Sequence, residues 1–66
     1  TEVEFEGVVK SLSPGSPTGV WIVGETKVVV TSRTVVRGEP KVGDTVEVEG
    51  LKSPDGVVQA SKIEKL

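Results

Sequence analysis

Carboxylates are the side chains of this sequence best suited to chemistry, because they can act as acids and bases or hold a cation. Five of them alternate with apolar residues in two stretches: Glu2, Glu4, Glu6, Glu47 and Glu49. A carboxylate pair that cleaves a glycosidic bond needs a pocket that raises the pKa of one member. The small apolar content leaves no room to enclose such a pocket, so the alternation predicts glutamates that face solvent.

The chain lacks the other side chains on which most enzymes and metal sites depend. It contains no His and no Cys, which removes the usual general base, the thiolate nucleophile and the commonest metal ligands. The Ser and Thr residues have no base to activate them, and the glycines match no phosphate-binding or dinucleotide-binding pattern. Asp44 and Asp55 are single carboxylates that we interpret as turn formers, with a weak calcium contact as the alternative. We therefore expect no catalytic residue, no cofactor and no metal, and we predict that the protein is not an enzyme.

Net charge and aromatic content argue against a nucleic-acid partner. Eight basic and ten acidic residues give a net charge of −2, and Phe5 and Trp21 are the only aromatic residues. A nucleic-acid binder normally presents a basic face with aromatic side chains on which bases stack. Trp21 could stack on a base or a sugar if it lay at the surface, but the strand pattern favours a core position.

Apolar residues recur with period two over most of the chain, which is the pattern of half-buried β-strands. It predicts an all-β fold with little or no helix and five strands, at about residues 2–12, 18–23, 26–31, 44–51 and 56–65. Gly7 precedes a change of parity and predicts a bulge or a sharp coil of the strand, and a later change predicts a second bulge near Ser61 and Lys62. Residues 13–19 read as a loop, and residues 32–43 as a connection with one helical turn at most.

Gly24 and Glu25 separate two predicted strands and suit a two-residue type II′ turn. The register that follows pairs Trp21 with Val28 and turns both toward the core, which leaves an apolar outer face. The candidate interaction residues on and beside this face are Val20, Ile22, Val29, Lys27, Arg33 and Arg37. Strands two and three form the ligand face of oligonucleotide/oligosaccharide-binding (OB) barrels, although the first strand or residues 32–43 could instead cover it.

Sixty-six residues suffice for one domain, which we assign to residues 1–66. A core built mainly from valine, together with five short strands, predicts a small OB-like β-barrel. No apolar run approaches the ~18 residues of a membrane span, and no signal peptide is present. The start at Thr1 suggests a module excised from a longer protein. The absence of thermolabile residues beside 27% charged residues fits a heat-adapted or an engineered sequence.

Two stretches resemble a known family. They are the Val-Gly-Asp-x-Val-x-Val-x-Gly stretch at 42–50 and the Asp-Gly-x-x-x-Ala-x-x-Ile stretch at 55–63. Their order and spacing resemble those of the bacterial domain-of-unknown-function family 5666, over nearly the whole chain. The resemblance implies an OB-like small barrel, found mostly in exported or lipid-anchored bacterial proteins. It implies no activity and supplies no functional residues.

Three hypotheses about function remain. The first is a non-catalytic accessory module of a bacterial envelope or secreted protein that contacts another protein or domain through the strand two–three face. The second is a module that binds carbohydrate or single-stranded nucleic acid with the same face. The third is a structural spacer or an engineered scaffold without a ligand.

Overall fold

The computed structural model describes residues 1–13 and 18–66, and its regular elements are all strands. The predicted loop at 13–19 falls largely on residues 14–17, outside the described residues. The six strands, in chain order, are β1 (Glu2–Ser11), β2 (Gly19–Val23), β3 (Thr26–Val30), β4 (Val35–Arg37), β5 (Thr45–Lys52) and β6 (Val58–Lys65). The five predicted strands are present, and their ends lie within two residues of the predicted ones. No helix among the described residues is long and apolar enough to span a membrane.

Five of the strands close into a barrel. The order along the sheet is β3-β2-β1-β5-β6-β4, and a further pairing of β3 with β6 closes the ring. The β3–β6 pairing is parallel, through Val28–Val58 and Val29–Gln59, whereas the other pairings within the ring are antiparallel. Full closure leaves few open strand edges in a small sheet. The predicted OB-like barrel is therefore confirmed, with β4 as an additional strand beside it.

Alternate side chains from each strand of the ring fill the barrel, and in β6 the alternation changes parity between Ala60 and Ile63. The buried hydrophobic residues are Val9, Trp21, Val23, Val28, Val30, Val46, Val48, Val58, Ala60 and Ile63. Trp21 is the largest of them and is 1% exposed, which confirms its predicted place in the core. Most of the buried residues are valines that alternate with polar residues along their strands. This alternation predicts which side chains form the core.

The bulge predicted at Gly7 is wrong in position. The β1–β5 register runs without a break from Glu2 to Val8, and the shift lies between Val9 and Ser11, where β1 pairs with β2. The extra residue is therefore Lys10. Gly7 has another role: a Cβ there would lie 3.1 Å from Cγ1 of Val23, so the glycine permits the close approach of β1 to β2.

The second predicted bulge is confirmed. Glu49 pairs with Lys62 and Gly50 with Ala60, so Ser61 is the extra residue in β6. The Ser61 hydroxyl donates to the Glu49 carbonyl at 3.1 Å. A Cβ on Gly50 would lie 2.2 Å from the Gln59 carbonyl oxygen, so this tight crossing of β5 and β6 requires glycine.

Residues 35–37 form a strand, where the sequence predicted at most a helical turn. β4 pairs in parallel with β6, from Val35–Lys62 to Arg37–Glu64. The Thr34 hydroxyl attaches its start to the barrel by donating to the Ala60 carbonyl at 2.7 Å. Val36 packs against the core. A three-residue strand carries too little periodicity to be recognised from sequence.

Candidate interaction surfaces

The β2–β3 hairpin has the predicted register. Val23 pairs with Thr26, Trp21 with Val28 and Val20 with Val29. Gly24 has φ of 61°, while Glu25 is not among the residues with positive φ, which is the pattern of a type II′ turn. The turn therefore decides which hairpin residues face the core and which face outward.

The outer face of the hairpin carries apolar residues, and their row continues across the barrel through one glutamine to a leucine. Val20 lies beside Val29, Val29 beside Gln59, and Gln59 beside Leu51, so one row crosses β2, β3, β6 and β5. Val20 is 43% exposed and Leu51 is 58% exposed, while Val29 is half-buried. We refer to Val20, Val29, Gln59 and Leu51 as the outer stripe. Because Val20 and Leu51 are exposed, neither the first strand nor residues 32–43 covers these two side chains.

The remaining candidate residues are placed at different distances from the outer stripe. Ile22 is half-buried and pairs with the exposed Lys27, so both lie on the hairpin. Arg33 lies in the turn that Thr31 and Thr34 close with a backbone hydrogen bond of 3.0 Å. Arg37 lies on β4 opposite Glu64, five residues along β6 from Gln59. Its place at the rim of the hairpin face stays a prediction.

A groove of about 510 Å³ lies beside the barrel, away from the outer stripe. Its lining is Leu12, Trp21, Val36, Gly38, Glu39, Pro40 and Lys41. Trp21 contributes almost no exposed surface to it. A buried indole cannot offer a face on which a base or a sugar stacks.

Acidic residues meet on the same outer surface beyond Leu51, where β1 lies beside β5 and Glu2 pairs with Leu51. Glu4 pairs with Glu49, and Glu6 pairs with Glu47. Carboxylate oxygens of Glu4, Glu47 and Glu49 all lie within 4.8 Å of one another. A hydrogen bond with Glu49 raises the pKa of Glu4, and the negative charges of Glu47 and Glu49 raise that pKa further. Sequence alternation placed each glutamate outward, but strand order was needed to bring them together.

Asp44 and Asp55 act in turns, as predicted. Asp44 accepts a hydrogen bond of 2.9 Å from the Lys41 amide. Asp55 accepts hydrogen bonds from the Ser53 hydroxyl and, at 3.2 Å, from the Val57 amide. These donors lower the pKa of Asp55, the Ser53 hydroxyl contributing most.

Leu51 and Gln59 belong to the outer stripe but were not among the sequence-based candidates. Leu51 shares the outward parity of Glu47 and Glu49 on β5. That parity was available in the sequence and marks Leu51 as an exposed apolar residue. The position of Gln59 beside Val29 was not available, because it depends on the parallel β3–β6 pairing.

A family model described as "Domain of unknown function (DUF5666)" matches residues 6–64. No curated protein matches the chain. A solved structure described as "Crystal structure of Ag(I)CusF" superposes with a TM-score of 0.75 at 18% sequence identity. The match covers 100% of this chain and 99% of that chain. At this identity the likeness shows a shared fold.

The expectation that the chain has no metal is wrong as an exclusion, because the same small barrel occurs in a protein solved in its Ag(I) form. The exclusion depended on the missing His and Cys residues. It overlooked that strand pairing can gather carboxylates from distant positions, as it gathers Glu4, Glu47 and Glu49.

Proposed function

Because this chain belongs to the DUF5666 family, whose description assigns no activity, we propose from its surface that it is a non-catalytic binding module. It docks against another protein, or a neighbouring domain of its own protein, through the outer face of the β2–β3 hairpin. The outer stripe is the observation that carries the proposal, since it places exposed Val20 and Leu51 in one row across four strands.

The shape of the outer stripe favours a protein as its partner. It is an outward strand surface of a closed barrel, and small-molecule sites are concave. Exposed apolar residues that lie close together on a surface can mark a contact between proteins, and here Val20 and Val29 pair directly while Leu51 lies beyond Gln59. Lys27 at the hairpin end supplies the polar border that protein interfaces usually have.

The environment of the polar side chains supports the non-catalytic part of the proposal. Among residues 1–13 and 18–66, no polar or charged side chain is buried. General acids, bases and nucleophiles are usually tuned by burial and by specific neighbours. Glu4 is shifted, but by like charges on an exposed surface without an enclosing pocket.

The ligands that Ag(I) prefers differ from the metal-binding groups that this chain can offer. Ag(I) is a soft ion, and soft metals select thiolate and thioether ligands. This chain has no Cys, Met or His, and the donors that its fold gathers are carboxylate oxygens, which suit hard cations. We therefore base the proposal on the apolar stripe rather than on the metal of that protein.

The hypothesis of carbohydrate or nucleic-acid binding is less well supported than protein docking. It needs an aromatic surface for stacking, and the only tryptophan lies in the core. The setting that we propose for the module is a bacterial envelope or secreted protein, as the family resemblance implies. The spacer hypothesis remains the alternative if no partner exists.

Substitution of one valine on the outer stripe tests the docking surface. Val20→Glu places a charge among apolar residues, so we expect at least about a tenfold loss of partner affinity. Val42→Glu is the matched control, because Val42 is 61% exposed in the segment before β5, at the other end of that strand from Leu51. The partner is found by a photocrosslinker at position 20, then purified and titrated against the ¹⁵N-labelled barrel.

Support for the proposal requires two results. The amide signals of Val20, Val29 and Leu51 shift on titration, and Val20→Glu weakens binding while Val42→Glu does not. Equal weakening by both variants, or shifts confined to another surface, would refute the hairpin face as the docking site. Unfolding by Val20→Glu, detected by loss of signal dispersion, would show that Val20 is required by the core.

A further inference from the structure

Hydrogen bonds at its two ends show which way the backbone of β1 faces. At one end, Thr1 and Lys52 exchange backbone hydrogen bonds of 3.2 Å and 2.7 Å. At the other, the Val9 amide donates to the Asp44 carbonyl at 2.9 Å. Thr1 and Val9 are both odd-numbered, and hydrogen-bonding direction alternates along an antiparallel strand. The odd residues of β1 therefore bond toward β5.

The even residues of β1 turn their backbone groups to the opposite side. The Val8 carbonyl accepts a hydrogen bond of 2.8 Å from the Gly24 amide, at the tip of the hairpin. Before Val8, no strand among the described residues pairs with that side of β1. The amides and carbonyls of Glu2, Glu4 and Glu6 consequently form an open strand edge. We refer to this as the β1 edge.

Both faces of the β1 edge have a distinct chemistry. The side chains of Glu2, Glu4 and Glu6 are exposed on the outer face. Val3 and Phe5 lie between them on the inner face, half-buried and packed against the core. A strand added here would thus meet carboxylates with one set of alternate residues and apolar side chains with the other.

We propose that the β1 edge binds an extended polypeptide segment in which Lys or Arg alternates with apolar residues. The segment adds a strand to the barrel by backbone hydrogen bonds with Glu2, Glu4 and Glu6. Its basic side chains lie beside the glutamates, and its apolar side chains cover Val3 and Phe5. Strand addition of this kind takes affinity from the main chain and specificity from alternate side chains.

Charge decides between a basic partner and a second copy of this chain. Two β1 edges paired with each other would bring glutamates beside glutamates, which is unfavourable across a strand pair. The outer face already holds a dense negative charge, since Glu47 and Glu49 of β5 lie against β1. That crowding raises the pKa of Glu4, and a cationic side chain beside the cluster would relieve it.

Backbone-modified peptides separate strand addition from simple charge attraction. The probe is the capped peptide Lys-Val-Lys-Val-Lys, titrated against the ¹⁵N-labelled 66-residue chain. We propose that the peptide adds as an antiparallel strand, in which directly opposite residues share a face, and those opposite the outward-bonding glutamates exchange backbone hydrogen bonds with them. The lysines lie opposite the glutamates, so the lysine amides are the ones that bond to the β1 edge. N-methylation of the lysines should weaken binding at least about tenfold, and N-methylation of the valines by no more than about twofold. On binding, the amides of Glu2, Glu4 and Glu6 should become protected from hydrogen exchange.

A charge reversal on the β1 edge provides the second arm. Glu4→Lys should strongly weaken binding of the peptide. Glu39→Lys changes the net charge by the same amount at an exposed residue off the edge, and it should not weaken binding. Equal effects of the two N-methylated peptides, or of the two variants, would overturn the proposal, as would absence of binding. The proposal would also be overturned if the free chain formed a dimer and Glu4→Lys changed the stability of that dimer. Val20→Glu should leave peptide binding unchanged, so this test and the hairpin test fail independently.

Discussion

At the scale of single residues, the repulsion between neighbouring glutamates on β1 and β5 has the clearest effect on this barrel. Glu4 faces Glu49 across a pair of residues that do not exchange backbone hydrogen bonds, and such pairs bring their Cα atoms to about 4.5 Å. This explains why carboxylates that are far apart in sequence approach one another. Their repulsion is offset when Glu4 is protonated and hydrogen-bonds to Glu49. The charged state of this surface therefore depends on pH.

We expect Glu49→Gln to stabilise the protein at neutral pH. The pKa of Glu4 is higher in the folded state than in the unfolded chain, so stability is lost as pH rises through the interval between these two pKa values. Glu49→Gln removes the main cause, and its advantage over wild type should grow with rising pH. Denaturant unfolding between about pH 4 and about pH 8 measures this difference. Glu25→Gln, on the exposed hairpin turn, is the control; a gain that is independent of pH would contradict the interpretation.

At the scale of elements, the β2–β3 hairpin decides what the molecule presents to a partner. A slip of one residue in its register would exchange the core face with the outer face. Trp21 would then reach the surface, and Val20 would enter the core. The two-residue turn at Gly24 and Glu25 prevents this slip, since its geometry suits only one pairing of the flanking residues.

Gly24→Ala should destabilise the barrel by about 1–2 kcal/mol. A Cβ at Gly24 meets no atom within 4 Å, so the loss comes from the φ of 61° and not from a clash. Denaturant unfolding followed by Trp21 fluorescence measures the change, with Glu25→Ala as a control that should stay near wild type. Equal stability of Gly24→Ala and Glu25→Ala would show that another feature sets the register.

Across the whole molecule, β6 is the strand that joins the two sides of the fold. It pairs with β5 along its length, with β3 at its start and with β4 at its end. Ile63 lies on β6 between Val36 of β4 and Val48 of β5, and it is completely buried. Closure and core packing therefore depend on the same strand.

Ile63→Ala should lower the free energy of unfolding by about 2–5 kcal/mol, because it leaves a cavity where three strands meet. This is a large fraction of the ~5–15 kcal/mol that stabilises a typical small protein. Val35→Ala, on the exposed side of β4, should change the free energy of unfolding by no more than ~0.5 kcal/mol. Similar losses from both substitutions would indicate that β6 is not the strand on which closure depends.

The sequence by itself determined the five strands of the ring, the hairpin register and the inward position of Trp21, because each depends on local alternation and turn chemistry. Valines at every second position and a Gly-X turn specify a face without knowledge of distant partners. The bulge expected at Gly7 was misplaced at this level, since a glycine signals a close approach as readily as a bulge, and here Val23 of another strand makes that approach.

Only the tertiary structure decided which surfaces became continuous. The parallel β3–β6 pairing sets Gln59 beside Val29 and so extends the apolar residues of the hairpin to Leu51. The pairing of β1 with β5 likewise gathers Glu4, Glu47 and Glu49 and leaves one edge of β1 open. These juxtapositions join residues that are far apart along the chain. Local periodicity states the face on which a residue lies, but it carries no information about which strand lies next to it.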